Sequence, residues 1–146
     1  MNKTLLVEQL RRLLEAELEV LLKAAAAAKE AATHAEAKPE NKYDTRGLEA
    51  SYLAGAHEGR AADLKRDLQI LALLPLRTFK LGDKIAATAV VTIFRDGEPA
   101  RYFVMPVGGG SRLDSPGGPV TVVTPQSPLV RSLQEGRADL EVIEIV

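Results

Sequence analysis

The fold is decided early in the chain, where residues 7–28 read VEQLRRLLEAELEVLLKAAAAA. Apolar residues recur there in steps of three and four, and the series continues beyond residue 28. Its members are Val7, Leu10, Leu14, Leu18, Leu21, Ala25, Ala28, Ala32 and Ala35. Such a seam predicts one long helix whose apolar face must pack against a partner.

A second seam with the same steps follows at residues 50–71. Its members are Ala50, Ala54, His57, Ala61, Leu64, Leu68 and Leu71. In an antiparallel hairpin the facing residue numbers add to a near-constant value, and pairing the two series in reverse order gives about 78 or 79 throughout. We therefore predict that the two helices pair with each other, as an antiparallel coiled coil about 45 Å long.

Two glycines interrupt the second helix, at Gly55 and Gly59. Each costs about 1 kcal/mol relative to alanine in a helix interior, so helix propensity does not explain their presence. We expect the two helices to approach closely at these glycines. Leu74-Pro75 then ends the helix, because a proline disfavours helical backbone at the preceding residue.

The period changes beyond residue 75. Residues 84–94, KIAATAVVTIF, and 100–107, ARYFVMPV, read as two strands joined by the Asp-Gly turn of residues 95–98. Residues 120–124 and 139–146 add two more strands. The sequence predicts an α+β chain, with a coiled-coil hairpin at 1–75 and a small twisted sheet with one short helix at 76–146.

The short helix is predicted between the last two strands, in TPQSPLVRSLQEG. Ser127 is the expected N-cap, Pro128 the first helical residue and Gly136 the stop. The glycine-rich loop 108–118 has no helix directly after it, so a phosphate-cradling loop is disfavoured.

Composition excludes several classes of function. The 146 residues carry 19 basic and 20 acidic side chains, so no positive excess favours nucleic acid or an anionic membrane. Cysteine is absent, which removes thiolate metal sites and cysteine nucleophiles. The first apolar run is too short for a signal peptide or a membrane span, so a cytoplasmic location is expected.

Two stretches resemble the Gre-type transcription elongation (transcript cleavage) factors of bacterial RNA polymerase. The first, TVVTPQSPLVRSLQEG at 121–136, is similar to that family's C-terminal signature, with Ser127, Pro128, Leu133 and Gly136 in place. The second begins with ENKYD at 40–44 and continues into a helix that carries Gly59-Arg60, like the family's tip and second helix.

The resemblance implies an FKBP-like sheet domain, here shortened, that docks on RNA polymerase. It implies a coiled coil that enters the polymerase's secondary channel, with acidic tip residues that help the polymerase cleave backtracked RNA. The candidate accessory carboxylates are Glu36, Glu40 and Asp44, with Glu40 and Asp44 sharing a Mg²⁺ ion with the polymerase active site. Asn41, Lys42 and Tyr43 at the tip, and Ser127 and Pro128, are the candidate partner contacts.

On this interpretation the protein is a monomer without enzymatic activity of its own, binds no cofactor alone and contacts nascent RNA indirectly. One departure is Ala37, which stands where the family's tip has an aspartate, with Glu36 one place away. It leaves open a secondary-channel regulator that does not promote cleavage.

The residues by themselves also allow simpler interpretations. The segment 36–44 could be a solvated turn in which Asp44 caps the second helix. The whole chain could be a non-catalytic interaction module. Metal binding by His57, a serine hydrolase triad and prolyl isomerase activity are all disfavoured, the last because the second half has few aromatic residues and no tryptophan.

Overall fold

A computed structural model describes residues 1–37, 45–136 and 140–146, and for residues 35–37 it describes the backbone. Within these ranges lie three helices, α1 at Lys3–Ala37, α2 at Arg46–Leu73 and α3 at Pro128–Gln134. Five strands follow α2 in the same ranges, β1 at Val90–Arg95, β2 at Glu98–Val104, β3 at Arg112–Leu113, β4 at Val120–Val123 and β5 at Glu141–Ile145. The predicted α+β fold class is confirmed.

The chain divides into two compact units, Leu14–Gln69 and a second unit made of Met1–Leu13 with Ile70–Val146. We call them the helical unit and the sheet unit. The predicted domain division at residues 75 and 76 stays a prediction, as does an FKBP-like topology. Within the described residues, no helix is long and apolar enough to span a bilayer.

The seam prediction agrees with the burial of side chains in the helical unit. Every predicted seam position that the structure describes there is buried or half-buried, from Leu14 to Ala32 on α1 and from Ala50 to Leu68 on α2. The Arg60 guanidinium also donates a hydrogen bond to the Glu17 carboxylate at 3.2 Å, which links α2 to α1. This pair of positions lies close to the antiparallel register that the seams predict.

The prediction for Gly55 and Gly59 is wrong. Both residues are exposed, and a Cβ built on either would meet no other atom within 4 Å. These glycines therefore do not serve close packing of the described helices, and their cost in helix propensity is uncompensated there.

The sheet is mixed, with the strand order β3-β4-β2-β1-β5. β1 and β2 form an antiparallel hairpin whose turn residues, Asp96 and Gly97, have φ of 52° and 85°. These left-handed values fit the two-residue turn that matches the twist of the flanking strands. β2 pairs in parallel with β4, and β5 pairs with the other edge of β1 through an irregularity between Thr92 and Ile93.

Both faces of the sheet are covered. On one face Val91, Ile93 and Val104 pack in a core with Val130 of α3. Toward the other face lie the first turns of α1, where Gln9 exchanges two hydrogen bonds with the Asp114 backbone at 2.7 and 2.8 Å. Because both faces of the sheet are covered, the four residues from Val90 to Ile93 are all buried. A strand with one exposed face would show alternating buried and exposed side chains.

The strand predicted at 84–94 begins six residues late, at Val90. Thr88 has φ of 75°, a left-handed conformation that is rare for a β-branched residue and incompatible with a strand. Its backbone N–H donates to Val104 at 2.7 Å, and its hydroxyl accepts from the Arg77 N–H at 3.0 Å. These contacts compensate a conformation that local propensity opposes.

The remaining boundaries differ in smaller ways. β2 begins at Glu98 and ends at Val104, so Met105 to Val107 of the predicted strand lie outside it. The sequence predicted no strand within 108–118, yet Arg112 and Leu113 pair with Thr121 and Val120 to form β3. A two-residue strand inside a glycine-rich loop has no periodic pattern by which it could be identified.

Candidate functional site

The predicted acidic tip, 36–44, begins in the last turn of α1, which ends at Ala37, and stops before α2 starts at Arg46. Glu36 belongs to the last turn of α1, where the backbone is described. Glu40, Asn41, Lys42, Tyr43 and Asp44 lie outside the described residues. Their predicted roles in cleavage, metal sharing and partner contact therefore stay predictions.

The helix ends that lead to this segment are paired through small residues. Ala25, Ala28 and Ala32 of α1 are buried, and so are Gly47 and Ala54 of α2. Interhelical distance depends on the size of the side chains at the contact, so these residues place little bulk between the helices. The predicted seam of α1 changes from leucine to alanine along the same direction.

Potential metal ligands are not clustered among the described side chains. Within residues 1–37, 45–136 and 140–146, no group of three or more His, Cys, Asp or Glu residues is placed to hold a metal ion. His57 is half-buried in the seam, and His34 is exposed near the end of α1. A Mg²⁺ ion shared with another protein needs only one or two carboxylates from this chain, so the tip proposal does not depend on such a group.

The C-terminal signature forms the helix that the sequence predicted. Ser127 has extended backbone, with φ of −62° and ψ of 148°, and its hydroxyl accepts a hydrogen bond from the Val130 N–H at 3.3 Å. Pro128 is the first helical residue, where its missing N–H costs nothing. Gly136 has φ of 71° just beyond the helix, which glycine adopts without strain.

Side chains of α3 anchor it to the sheet. Val130 is fully buried in the core, and Leu133 packs against the same cluster. The Gln134 side-chain amide donates to the Ile85 carbonyl at 2.9 Å. The signature therefore has a structural explanation in capping and packing, and partner contact by Ser127 and Pro128 stays a prediction.

Sequence reasoning missed Lys3. Its ammonium donates hydrogen bonds to the carbonyl oxygens of Thr88 at 2.8 Å and Val146 at 3.0 Å, and also to that of Arg77. The ammonium lies 5.1 Å from the centre of the Phe79 ring. Partial burial lowers the pKa of Lys3. All four partners are at least 74 positions away in the chain, so no local pattern could have identified this anchor.

Solved structures that are similar to this chain include two of Gfh1. The crystal structure of GreA factor homolog 1 (Gfh1) protein of Thermus thermophilus is 22% identical, with a TM-score of 0.34, over 96% of this chain and 94% of that one. A structure of the transcription factor Gfh1 is also 22% identical, with a TM-score of 0.34, over 95% of this chain and 92% of that one. No protein-family model and no curated protein matches the sequence.

Proposed function

We propose that this protein is a Gre-like transcription elongation factor that binds bacterial RNA polymerase at its secondary channel. The tip carboxylates Glu36, Glu40 and Asp44 would then stimulate the polymerase's cleavage of backtracked RNA. The observation that carries the proposal is the position of ENKYD, which resembles the family's tip and falls between the ends of two long helices with matching buried seams.

A second observation in the sheet unit supports the same proposal. The stretch that resembles the family's C-terminal signature folds as a capped helix after β4, with Ser127, Pro128 and Gly136 in the positions that such a helix requires. The capped helix of the C-terminal stretch therefore supports the proposal.

For Mg²⁺-dependent RNA cleavage, this chain would need to supply only one or two carboxylates. Mg²⁺ is commonly held by one or two carboxylates, with waters and substrate oxygens completing its shell. Beside an RNA phosphate and the carboxylates of a polymerase, Glu40 and Asp44 could complete a site that activates water. The protein would act as an accessory to catalysis in another active site, without a cofactor of its own.

The test is transcript shortening in stalled complexes of bacterial RNA polymerase. We expect the wild-type protein to bind the polymerase and shorten the transcript, and the triple variant E36A/E40A/D44A to bind without shortening it. The variant E19A/E30A/E58A is the matched control, because it removes the same charge from exposed helix positions. Full cleavage by the tip variant would refute the tip mechanism, and failure of the wild type to bind would refute the proposal.

A non-cleaving channel regulator is the second candidate, and Ala37 favours it. This alanine occupies the position of the family's tip aspartate, in the last turn of α1. If this candidate is correct, the wild-type protein binds the polymerase and changes elongation, while stalled transcripts keep their length. The same assay separates the two candidates.

A further inference from the structure

A groove runs along the face of the sheet that the first turns of α1 approach, and we call it the sheet groove. It has a volume of about 820 Å³ and is lined by α1, β1, β2, β5 and the loop 114–117. All of its lining belongs to the sheet unit. Leu5, Leu6, Pro99 and Ile143 give it apolar walls. Pockets of roughly 300–1,000 Å³ with such walls and a few fixed polar groups are typical of small-molecule sites.

Arg101 is the fixed cation of the sheet groove. It stands opposite Thr92 in the β1–β2 ladder, and its guanidinium donates to the Ser115 hydroxyl at 3.2 Å. That hydroxyl in turn donates to the Gly118 carbonyl at 2.9 Å. The guanidinium also occupies the space that a Cβ of residue 117 would need, so the glycine there lets the loop close over it.

Arg101 has no anionic partner among the described residues. Within the described residues, Ser115 is the hydrogen-bond partner of its guanidinium, and no carboxylate lies within ion-pair distance. Arg101 is nevertheless only partly exposed. A guanidinium cannot lose its proton, and it carries five donors, so a partly buried one gains from a bound anion.

Two carboxylates at the edge of the sheet groove limit the charge of the anion that it can bind. Asp114 and Glu144 line the sheet groove with exposed carboxylates, and Glu144 stands on β5, next to Thr92 on the side away from Arg101. Two strand spacings separate Arg101 from Glu144, or about 10 Å. The two rim carboxylates repel a dianionic phosphate about twice as strongly as a singly charged ligand carboxylate. The positive charge of the Arg101 guanidinium balances the single negative charge of such a carboxylate.

We propose that the sheet groove binds a small organic monocarboxylate with an apolar body. The carboxylate pairs with the Arg101 guanidinium, in the forked geometry that arginine favours. The hydrocarbon body lies against Leu5 and Ile143, whose side chains are exposed, and displaces water from them. This binding involves only the sheet unit and does not rest on the function proposed above.

The experiment titrates the full chain with octanoate and with its neutral isostere octanamide, measured by calorimetry and by amide NMR shifts. We expect saturable octanoate binding at least tenfold tighter than that of octanamide, with shifts concentrated at Thr92, Arg101 and Ile143. Equal affinities for the two probes, or no saturable binding of millimolar octanoate, would overturn the proposal. Shifts confined to residues outside the groove would overturn it as well.

Two variants test the arginine. R101M should lose at least tenfold in octanoate affinity while binding octanamide as the wild type does, which also shows that the groove remains folded. R112M removes an exposed arginine of β3 that does not line the groove, and it should leave both affinities unchanged. Equal losses in the two variants would mean that overall charge, and not the groove, governs binding. A concentration-dependent dimer that octanoate fails to dissociate would assign the groove to a second copy of the chain and refute the proposal.

Discussion

Replacing Gly108 by alanine tests how the loop at 108–118 packs on the first turns of α1, within the sheet unit. Gly108 has φ of 77°, and a Cβ built on it would lie 2.6 Å from Cδ1 of Leu10. Leu10 is 0% exposed, so its side chain cannot turn out into solvent to make room for the new methyl group. The substitution therefore combines two costs, a left-handed backbone for a residue with a Cβ and overpacking of a buried leucine.

The variant G110A measures the cost of the left-handed backbone without the cost of overpacking. The φ of Gly110 is 89°, yet a Cβ there would meet nothing within 4 Å. G110A should lose about 1–2 kcal/mol from the backbone conformation alone. G108A should lose that amount together with about 1–3 kcal/mol of overpacking, or about 2–5 kcal/mol in all.

Urea unfolding followed by circular dichroism measures both free energies of unfolding. Leu10 supplies the second check, because L10A opens the space that the new methyl group needs. In the L10A background, G108A should cost no more than G110A does, which is a coupling between contacting residues. Equal losses for G108A and G110A in the wild-type background would refute the reasoning, because the contact with Leu10 would then carry no energy.

Three further predictions concern single side chains. G55A and G59A should each raise the free energy of unfolding by about 0.5–1 kcal/mol in urea titrations, because both sites are exposed and helical; a loss at either would mean that the site needs glycine. S127A should lower it by about 1 kcal/mol and S127D by much less, because aspartate also caps; equal losses would contradict the capping role of the hydroxyl. For Lys3 the unfolded chain binds the proton more tightly, because burial lowers the pKa in the folded state. Stability relative to K3M should then rise with pH from the lowered pKa up to about 10.4, and a fall in urea titrations across that window would contradict it.

The sequence predicted those parts of the fold that depend on local patterns. The spacing from Leu14 to Ala32 identified the helical seam, and the Asp96-Gly97 pair identified the β1–β2 turn. Ser127 identified the start of α3 for the same reason, since a cap is formed by residues three apart. In each case the physical cause lies within a few positions of the residue concerned.

The rest depends on residues that are distant in the chain. Thr88 delays the start of the expected strand, because contacts from Arg77 and Val104 compensate its left-handed backbone. Gly108 faces Leu10, nearly 100 positions earlier, and the glycine at 117 faces Arg101. For the candidate site, the resemblance supplied the tip carboxylates, whereas the Arg101 groove required the registers of β1 with both β2 and β5, which no local pattern specifies.

The composition of the sheet unit has a consequence for how the chain folds. Lys3 bonds to the carbonyl of Val146 across 143 positions, and Met1–Leu13 belong to this unit together with Ile70–Val146. Contacts of such high sequence separation form slowly, because loop closure must be achieved before they stabilise anything. During synthesis the contiguous stretch Leu14–Gln69 is available early, whereas the sheet unit is incomplete until β5 has left the ribosome. The first turns of α1 belong to the sheet unit, so they lack part of that unit until residues 141–145 have been made.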